Sequence, residues 1–311
     1  MKLLSTLSIL TGVAAFAVPS LTATTEVATV PVGVVEMTIP AGRSVVAPLF
    51  VNANVFQGES TGVSEDIEAE TTTISFSSSG FTANEFDEGD FPVYYAESIG
   101  DSVSEGFAFD IISNDESSIT VAGLLSNVGL TSGQVFAIRE HVTLGQFFEG
   151  STGLAVLDEV QFFTSDGGSS IYIWTGSNWF GSPLGDAKPI YPGTGFLTTL
   201  SAVVDITTTG TVKSTYTQVP QFSGAINLMS SASPVGKEVG DLDISSQIGI
   251  LGELQFFTPG DINDTVIIIS NGSGDYFGGS GTSTPVDAGQ AMLVRSQGSS
   301  GYVALPPAYT E

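Results

Sequence analysis

The octapeptide Leu157-Asp158-Glu159-Val160-Gln161-Phe162-Phe163-Thr164 returns as Leu251-Gly252-Glu253-Leu254-Gln255-Phe256-Phe257-Thr258, 94 positions later. A period of that length is too long for a stacked solenoid and suits a small domain used twice. The match continues downstream. Ile171-Tyr172-Ile173-Trp174 and Trp179-Phe180-Gly181 align with Ile267-Ile268-Ile269 and Tyr276-Phe277-Gly278, and Pro192-Gly193-Thr194-Gly195-Phe196-Leu197 aligns with Ala288-Gly289-Gln290-Ala291-Met292-Leu293. Upstream, Thr143-Leu144-Gly145-Gln146-Phe147 answers Glu238-Val239-Gly240-Asp241-Leu242. Further back, Val219-Pro220 resembles Ile39-Pro40, and Ile226 falls opposite Val45. These last pairs lie much more than 94 positions apart, so the first copy carries an insertion. Lengthening a surface loop costs little closure entropy, which makes an inserted module physically reasonable. The expected organisation is copy one over 30–65 plus 141–208, an inserted β module over 66–140, and copy two over 211–305.

Within the copies the pattern is that of strands. Residues 71–77 and 118–122 alternate or favour β-branched side chains, and Thr265-Val266-Ile267-Ile268-Ile269 is an apolar run of strand length. Asp166-Gly167 and Asn271-Gly272 each sit between strand-like runs, the strongest short hairpin signal. No window sustains a 3.6-residue period; residues 143–148 and 239–244 have room for single helical turns. The expected fold is all-β: two copies of a small antiparallel β-barrel or sandwich unit, the first interrupted by the inserted module.

The chain opens Met1-Lys2 and continues through an apolar stretch to small residues near Ala17 and Ala23, the form of a secretory signal peptide over 1–23. The stretch is too short for a confident membrane span, and nothing later is long and apolar enough. With no cysteine there is no disulfide frame, so core burial must supply the stability. Seven Lys and Arg against 33 Asp and Glu give a net charge of −26, which repels phosphate backbones and argues against a nucleic-acid partner. Export to the periplasm, the cell surface or the medium is expected.

Chemistry is sparse. His141 is the sole histidine and no Gly-x-Ser-x-Gly elbow accompanies it, so it reads as a locally hydrogen-bonded strand or junction residue. Thiol, zinc and haem chemistry lack ligands. Carboxylates are abundant. Asp87, Glu88 and Asp90 form one cluster and Asp261, Asn263 and Asp264 another, without EF-hand spacing. Each reads as a solvated acidic turn or a calcium loop, calcium being the only cofactor left open. A glycosidase needs two carboxylates at a set separation, and composition selects no pair. Tyr172 and Trp174 share a strand face by period-two alternation, and the turn at 175–178 returns Trp179 opposite them. Exposed, the trio makes a platform for sugar rings or a partner; buried, it makes a cross-strand packing cluster.

The order of Val32-Gly33, Tyr94-Tyr95, Gly106 with Phe109-Asp110-Ile111, Ser113-Asn114, Thr143-Leu144-Gly145, Asp158-Glu159-Val160 and Pro192-Gly193-Thr194-Gly195-Phe196 resembles an uncharacterised family of secreted, internally duplicated β-proteins from Verrucomicrobia and related bacteria. The resemblance covers nearly the whole mature chain and implies export and a duplicated unit, with no activity and no functional residues to carry over. Copy two departs from the pattern, with Gly252 for Asp158 and Tyr276 for Trp179. The expectation is therefore a non-enzymatic, acidic structural or interaction protein of the envelope or extracellular space. Its partner would be an envelope protein or polysaccharide; a carbohydrate-binding module is the alternative, and a glycoside-active enzyme the third reading.

Overall fold

A computed structural model describes residues 31–308 apart from 78, 88–90, 101–103, 224 and 298–299. The expected signal segment, and Glu88 and Asp90 of the first acidic cluster, lie outside the described residues. The first lobe begins with β1 (Val32–Ile39) and β2 (Gly42–Val46). The chain then enters a barrel of β3 (Asn54–Asp66), β4 (Thr71–Phe76), β5 (Tyr94–Ser98), β6 (Ala108–Asn114), β7 (Ser118–Ala122) and β8 (Val135–Glu140). It returns to the first lobe with β9 (Val142–Thr143), the helical turn α1 (Leu144–Phe147), β10 (Glu159–Phe163), β11 (Ser169–Trp174), β12 (Trp179–Phe180), β13 (Pro189–Ile190), β14 (Phe196–Leu200) and β15 (Val204–Thr211). The second lobe contains β16 (Thr217–Gln221), β17 (Asn227–Ser230), β18 (Lys237–Glu238), α2 (Ser245–Ile248) and β19 (Ile250–Thr258). Its remaining strands are β20 (Asp261–Asn271), β21 (Tyr276–Phe277), β22 (Pro285–Val286), β23 (Ala291–Arg295) and β24 (Gly301–Leu305). The protein is all-β, and among the described residues no helix is long and apolar enough to cross a membrane.

The two lobes have the same topology. The sheet β12-β11-β10-β14-β2 corresponds strand for strand to β21-β20-β19-β23-β17, the ladder β1–β15 to β16–β24, and β13–β9 to β22–β18. Registers agree as well. Ile39 pairs with Val204 as Val219 pairs with Val303, and Trp174 with Trp179 as Ser270 with Tyr276. Leu197 pairs with Val45 as Leu293 pairs with Leu228, which moves the counterpart of Val45 from the expected Ile226 to Leu228. The reason is a β16–β17 connection over 222–226 that is longer than the two residues joining β1 to β2.

Period-two alternation places one face of each sheet inward. Val160, Tyr172, Trp179 and Phe196 build the first lobe's core; Leu254, Ile268, Tyr276 and Met292 occupy the matching places in the second. The sheets meet through Val45, Ala47 and Leu197 of one against Leu228, Ala291 and Leu293 of the other. Contacts across this seam occur twice with roles exchanged. Ala47 N donates to Gly289 O at 3.0 Å and Ser230 N to Gly193 O at 3.0 Å, while Val46 bridges Gln290 as Met229 bridges Thr194. Such reciprocity marks an isologous interface, here between two parts of one chain.

The barrel closes in the order β3-β4-β7-β6-β5-β8 around a phenylalanine-rich core that includes Phe76, Phe81, Phe86, Phe109 and Phe136. It begins earlier than the expected boundary at 65/66. β3 pairs along its length with β8 and β4, so residues 54–66 belong to the barrel, and the matched sequence, which ended near Leu49, placed no constraint there. The chain's exit and return lie together: Asn52 Nδ2 donates to Glu140 O at 3.3 Å and to His141 O at 3.1 Å. A module whose ends meet in this way fits into a loop without displacing the host strands.

Candidate functional site

Titratable groups converge where the barrel meets the lobes. Glu97 of β5 is 1% exposed, and its Oε2 accepts from Arg139 Nε of β8 at 3.1 Å. Lys213, from the segment joining the lobes, contacts the other carboxylate oxygen and is itself buried. Arg139 Nη1 also donates to Asn52 O at 2.9 Å, tying the trio to the barrel's entry point. Burial pushes the Lys213 ammonium down to about 7. With Arg139 already balancing Glu97, a neutral amine leaves the buried trio without net charge, the arrangement a low-dielectric interior favours. Burial also pushes the Tyr95 phenol up to about 12, opposed by Arg139.

Alongside lies a second group. His141 Nε2 is 3.0 Å from Asp110 Oδ1, and Tyr191 Oη donates to Asp110 Oδ2 at 2.6 Å. The His141 ring lies 4.7 Å from that of Tyr95 and 4.9 Å from that of Tyr191. Burial, then Asp110, raises the Tyr191 phenol. A hydrolytic triad places the imidazole between carboxylate and nucleophile. Here the nitrogen that would face a nucleophile, Nδ1, is buried with no hydrogen-bond partner among the described residues. The space beside Tyr95, Tyr191 and Lys213 is about 20 Å³, room for one water. The arrangement can lock three modules in register, and on its outer side Asp110 and Tyr191 border an open concavity of about 450 Å³. His141 is locally bonded, as its sequence context suggested. The ion trio went unread, although two of only seven basic residues sitting in strand-like apolar contexts was the available signal.

The aromatic trio is brought together and largely covered. Tyr172 and Trp179 are buried in the core and Trp174 is half-buried, the indoles 5.4 Å apart. Tyr172 Oη donates to Pro183 O at 2.8 Å, and Trp179 packs against Phe148 at 4.9 Å. The flat platform is therefore absent, because α1 and its following residues close over the sheet face. Trp174, with the edge of Trp179 beside it, borders an open concavity of about 570 Å³ that has Glu149, Ser151 and Asp186 on its walls.

The described members of the acidic clusters are exposed and hydrogen-bond locally, the second cluster at the start of β20. Glu85 Oε2 accepts from Thr82 N at 2.8 Å, and Asp87 is exposed beyond that turn. Asp261 Oδ1 accepts from Asn263 N at 3.0 Å and from its Nδ2 at 3.1 Å, while Asp264 Oδ2 accepts from Thr258 Oγ1 at 2.8 Å. Among the described residues no three acidic, histidine or cysteine side chains gather in metal-binding geometry.

Apolar side chains instead stand out to solvent at matching places in both lobes. Leu157 and Leu251, Ile171 and Ile267, and Phe180 and Phe277 are all exposed, the two phenylalanines at 71% and 65%. Leu157 and Leu251 also share a left-handed backbone, with φ of 77° and 64°, which is uncommon for leucine. Comparison of the chain with protein-family models, with curated proteins and with solved structures finds no match.

Proposed function

We propose that this chain is an exported, acidic structural or interaction protein of the cell envelope or extracellular space, and that it works by binding and not by catalysis. The observation that carries this reading is the repeated exposure of Leu157/Leu251, Ile171/Ile267 and Phe180/Phe277. A fold gains nothing from solvent-facing phenylalanine, and exposed large apolar side chains on one sheet suit a contact surface. Presenting them twice in one chain permits bivalent attachment, which raises avidity without new contacts. The acidic group at the start of the octapeptide differs: Asp158 is spent on the amides of Ala155 and Ser201 at 2.8 Å each, and its counterpart is Gly252. Duplicated chemistry would keep its acid.

The test compares wild type with Phe180→Ser, Phe277→Ser and the double variant for co-sedimentation with isolated envelope fractions. Each single substitution should weaken association and the double should abolish it, with thermal stability unchanged. Association untouched by the double variant, or turnover of a polysaccharide substrate, would sink the reading. The carbohydrate alternative now rests on Trp174 above its concavity; retention on polysaccharide columns that Trp174→Ala removes and the Phe180/Phe277 double variant does not would favour it.

A further inference from the structure

The pseudo-twofold seam has two ends, and among the described residues one is covered by a hairpin tip and the other is not. At the covered end the tip of the β19–β20 hairpin, residues 258–264, folds onto the edge strand β2. Arg43 N donates to Gly260 O at 3.2 Å and Gly260 N to Ser44 Oγ at 2.9 Å. Ile262, two residues on, packs against the apolar cluster between the sheets. At the other end the β10–β11 tip spans only 164–168 and closes on itself. Thr164 N donates to Gly168 O at 3.0 Å, and Asp166 Oδ1 accepts from Gly168 N at 3.0 Å. That tip never reaches the matching edge strand, β17.

A groove of about 350 Å³ remains there, bordered by Phe162, Phe163, Lys188, Phe222 and Ile226. Three features distinguish it from a neutral hollow. Ile226 stands where Arg43 stands, is 40% exposed, and has no backbone hydrogen bond on its N–H among the described residues. Phe162 is half-buried while its counterpart Phe256 is buried. Lys188, in the place of Thr284, lies 5.5 Å from the Phe162 ring, so this end carries its cation beside the hollow, whereas the covered end carries Arg43 on the edge strand itself. An unpaired edge amide beside an apolar hollow is what strand addition uses for recognition.

We propose that this groove docks a protein partner presenting a β-turn with the chemistry of the covering tip. A glycine carbonyl would accept from Ile226 N–H, an aliphatic side chain two residues later would cover the half-buried Phe163, and a carboxylate would meet Lys188. The occupant follows from the covered end of the same seam, where the Gly260-Asp261-Ile262 turn fills the equivalent place. This deepens the interaction reading and rests on it for the existence of a partner. The groove and the Phe180/Phe277 patches lie on different residues, so failure here leaves that reading standing.

The experiment uses the full chain, isotopically labelled, and a capped synthetic peptide of residues 257–264 as probe. Saturable amide shifts are expected at Ile226, Phe163 and Lys188. Ile226→Pro, which deletes the N–H, should weaken binding about tenfold, as should a serine in place of the peptide's isoleucine. Lys188→Met provides a second variant should the proline perturb folding, and should also weaken binding. In a chimera carrying residues 258–264 in place of 164–168, hydrogen exchange at Ile226 should slow; slowed exchange sustains the proposal even where the free peptide binds too weakly to detect. Shifts absent or elsewhere, together with unchanged Ile226 exchange in the chimera, overturn it. Groove shifts that depend on protein concentration alone identify a second copy as occupant and overturn the choice of partner.

Discussion

Phe162 and Phe256 occupy the same place in the same octapeptide, on central strands of sheets with identical order, yet one is half-buried and the other enclosed. The strands do not cause the difference. Phe256 is enclosed by the second lobe's own core, whereas Phe162 lies at the margin of the first lobe's core and borders an open groove. On the seam face, two extra residues in the β19–β20 tip carry Gly260 and Ile262 across to the first lobe, and the shorter β10–β11 tip closes on itself. The same strand pattern thus stands twice in the chain, with the surroundings of its margins set by the segments that flank it.

The core positions should break the symmetry most. Trp179→Ala removes the largest buried side chain of the first lobe and should cost about 3–5 kcal/mol in urea unfolding, more than Tyr276→Ala at the matching place. A loss under about 1 kcal/mol would return the indole to the surface and revive the platform. Exchanging the octapeptide acid comes next. A Cβ on Gly252 would lie 2.6 Å from Ile248 O, so Gly252→Asp should destabilise by about 1–3 kcal/mol. Asp158→Gly should cost about 1.5–3 kcal/mol through the lost charged hydrogen bonds to Ala155 and Ser201. If either swap is neutral, the two lobes are more interchangeable at this turn than their geometry implies.

Both lobes touch the barrel, the second through Gln218 N on Gly106 O at 3.0 Å, but the tie through Lys213 is a buried charge cluster that pH should expose. Burial holds the Lys213 amine at about 7 in the folded chain, below its ordinary value of 10.5. Above pH 7 the unfolded chain keeps a proton that the folded chain releases, so stability should rise with pH between the two values. The expected gain from about pH 7 to 9 is on the order of 1–2 kcal/mol, and Lys213→Met should flatten it. A wild-type profile no steeper than the variant's would mean that the ammonium stays charged against Glu97.

At the covered end of the seam, Ile262→Ala should cost about 1–2 kcal/mol, since the side chain is only half-buried. Ser165→Ala in the shorter tip, an exposed change, should shift unfolding by under about 0.5 kcal/mol. Equal effects would deny that only one tip covers the seam. The smallest effect is a titration. Asp166 is held below the usual carboxylate range, first by the Thr164 hydroxyl and then by the Gly168 amide. Its contribution is present above the unfolded carboxylate pKa and fades as pH falls through the lower folded value. Thr164→Val should move the Asp166 titration, followed by NMR, back toward the ordinary value; an unmoved titration would mean that the hydroxyl is not its partner.

Much of this was legible in residues alone. Alternation in 71–77 and 118–122, the Asp-Gly and Asn-Gly turns, and the octapeptide itself state an all-β chain with two like sheets, because strand pleat and turn conformation are local properties of sequence. The pairing of Trp174 with Trp179 was legible too, since one tight turn joins them. Their burial was not. α1 and Phe148 cover Trp179, and alternation tells which side chains share a face without telling what lies against it. The start of the barrel at Asn54 escaped because β3 finds its partners, β4 and β8, through contacts that no repeat reports. Glu97, Arg139 and Lys213 lie in three separate segments, and only the closed fold brings them within reach of one another. Local physics wrote the strands into the chain. Long-range packing decided which faces, charges and edges were left open to the outside.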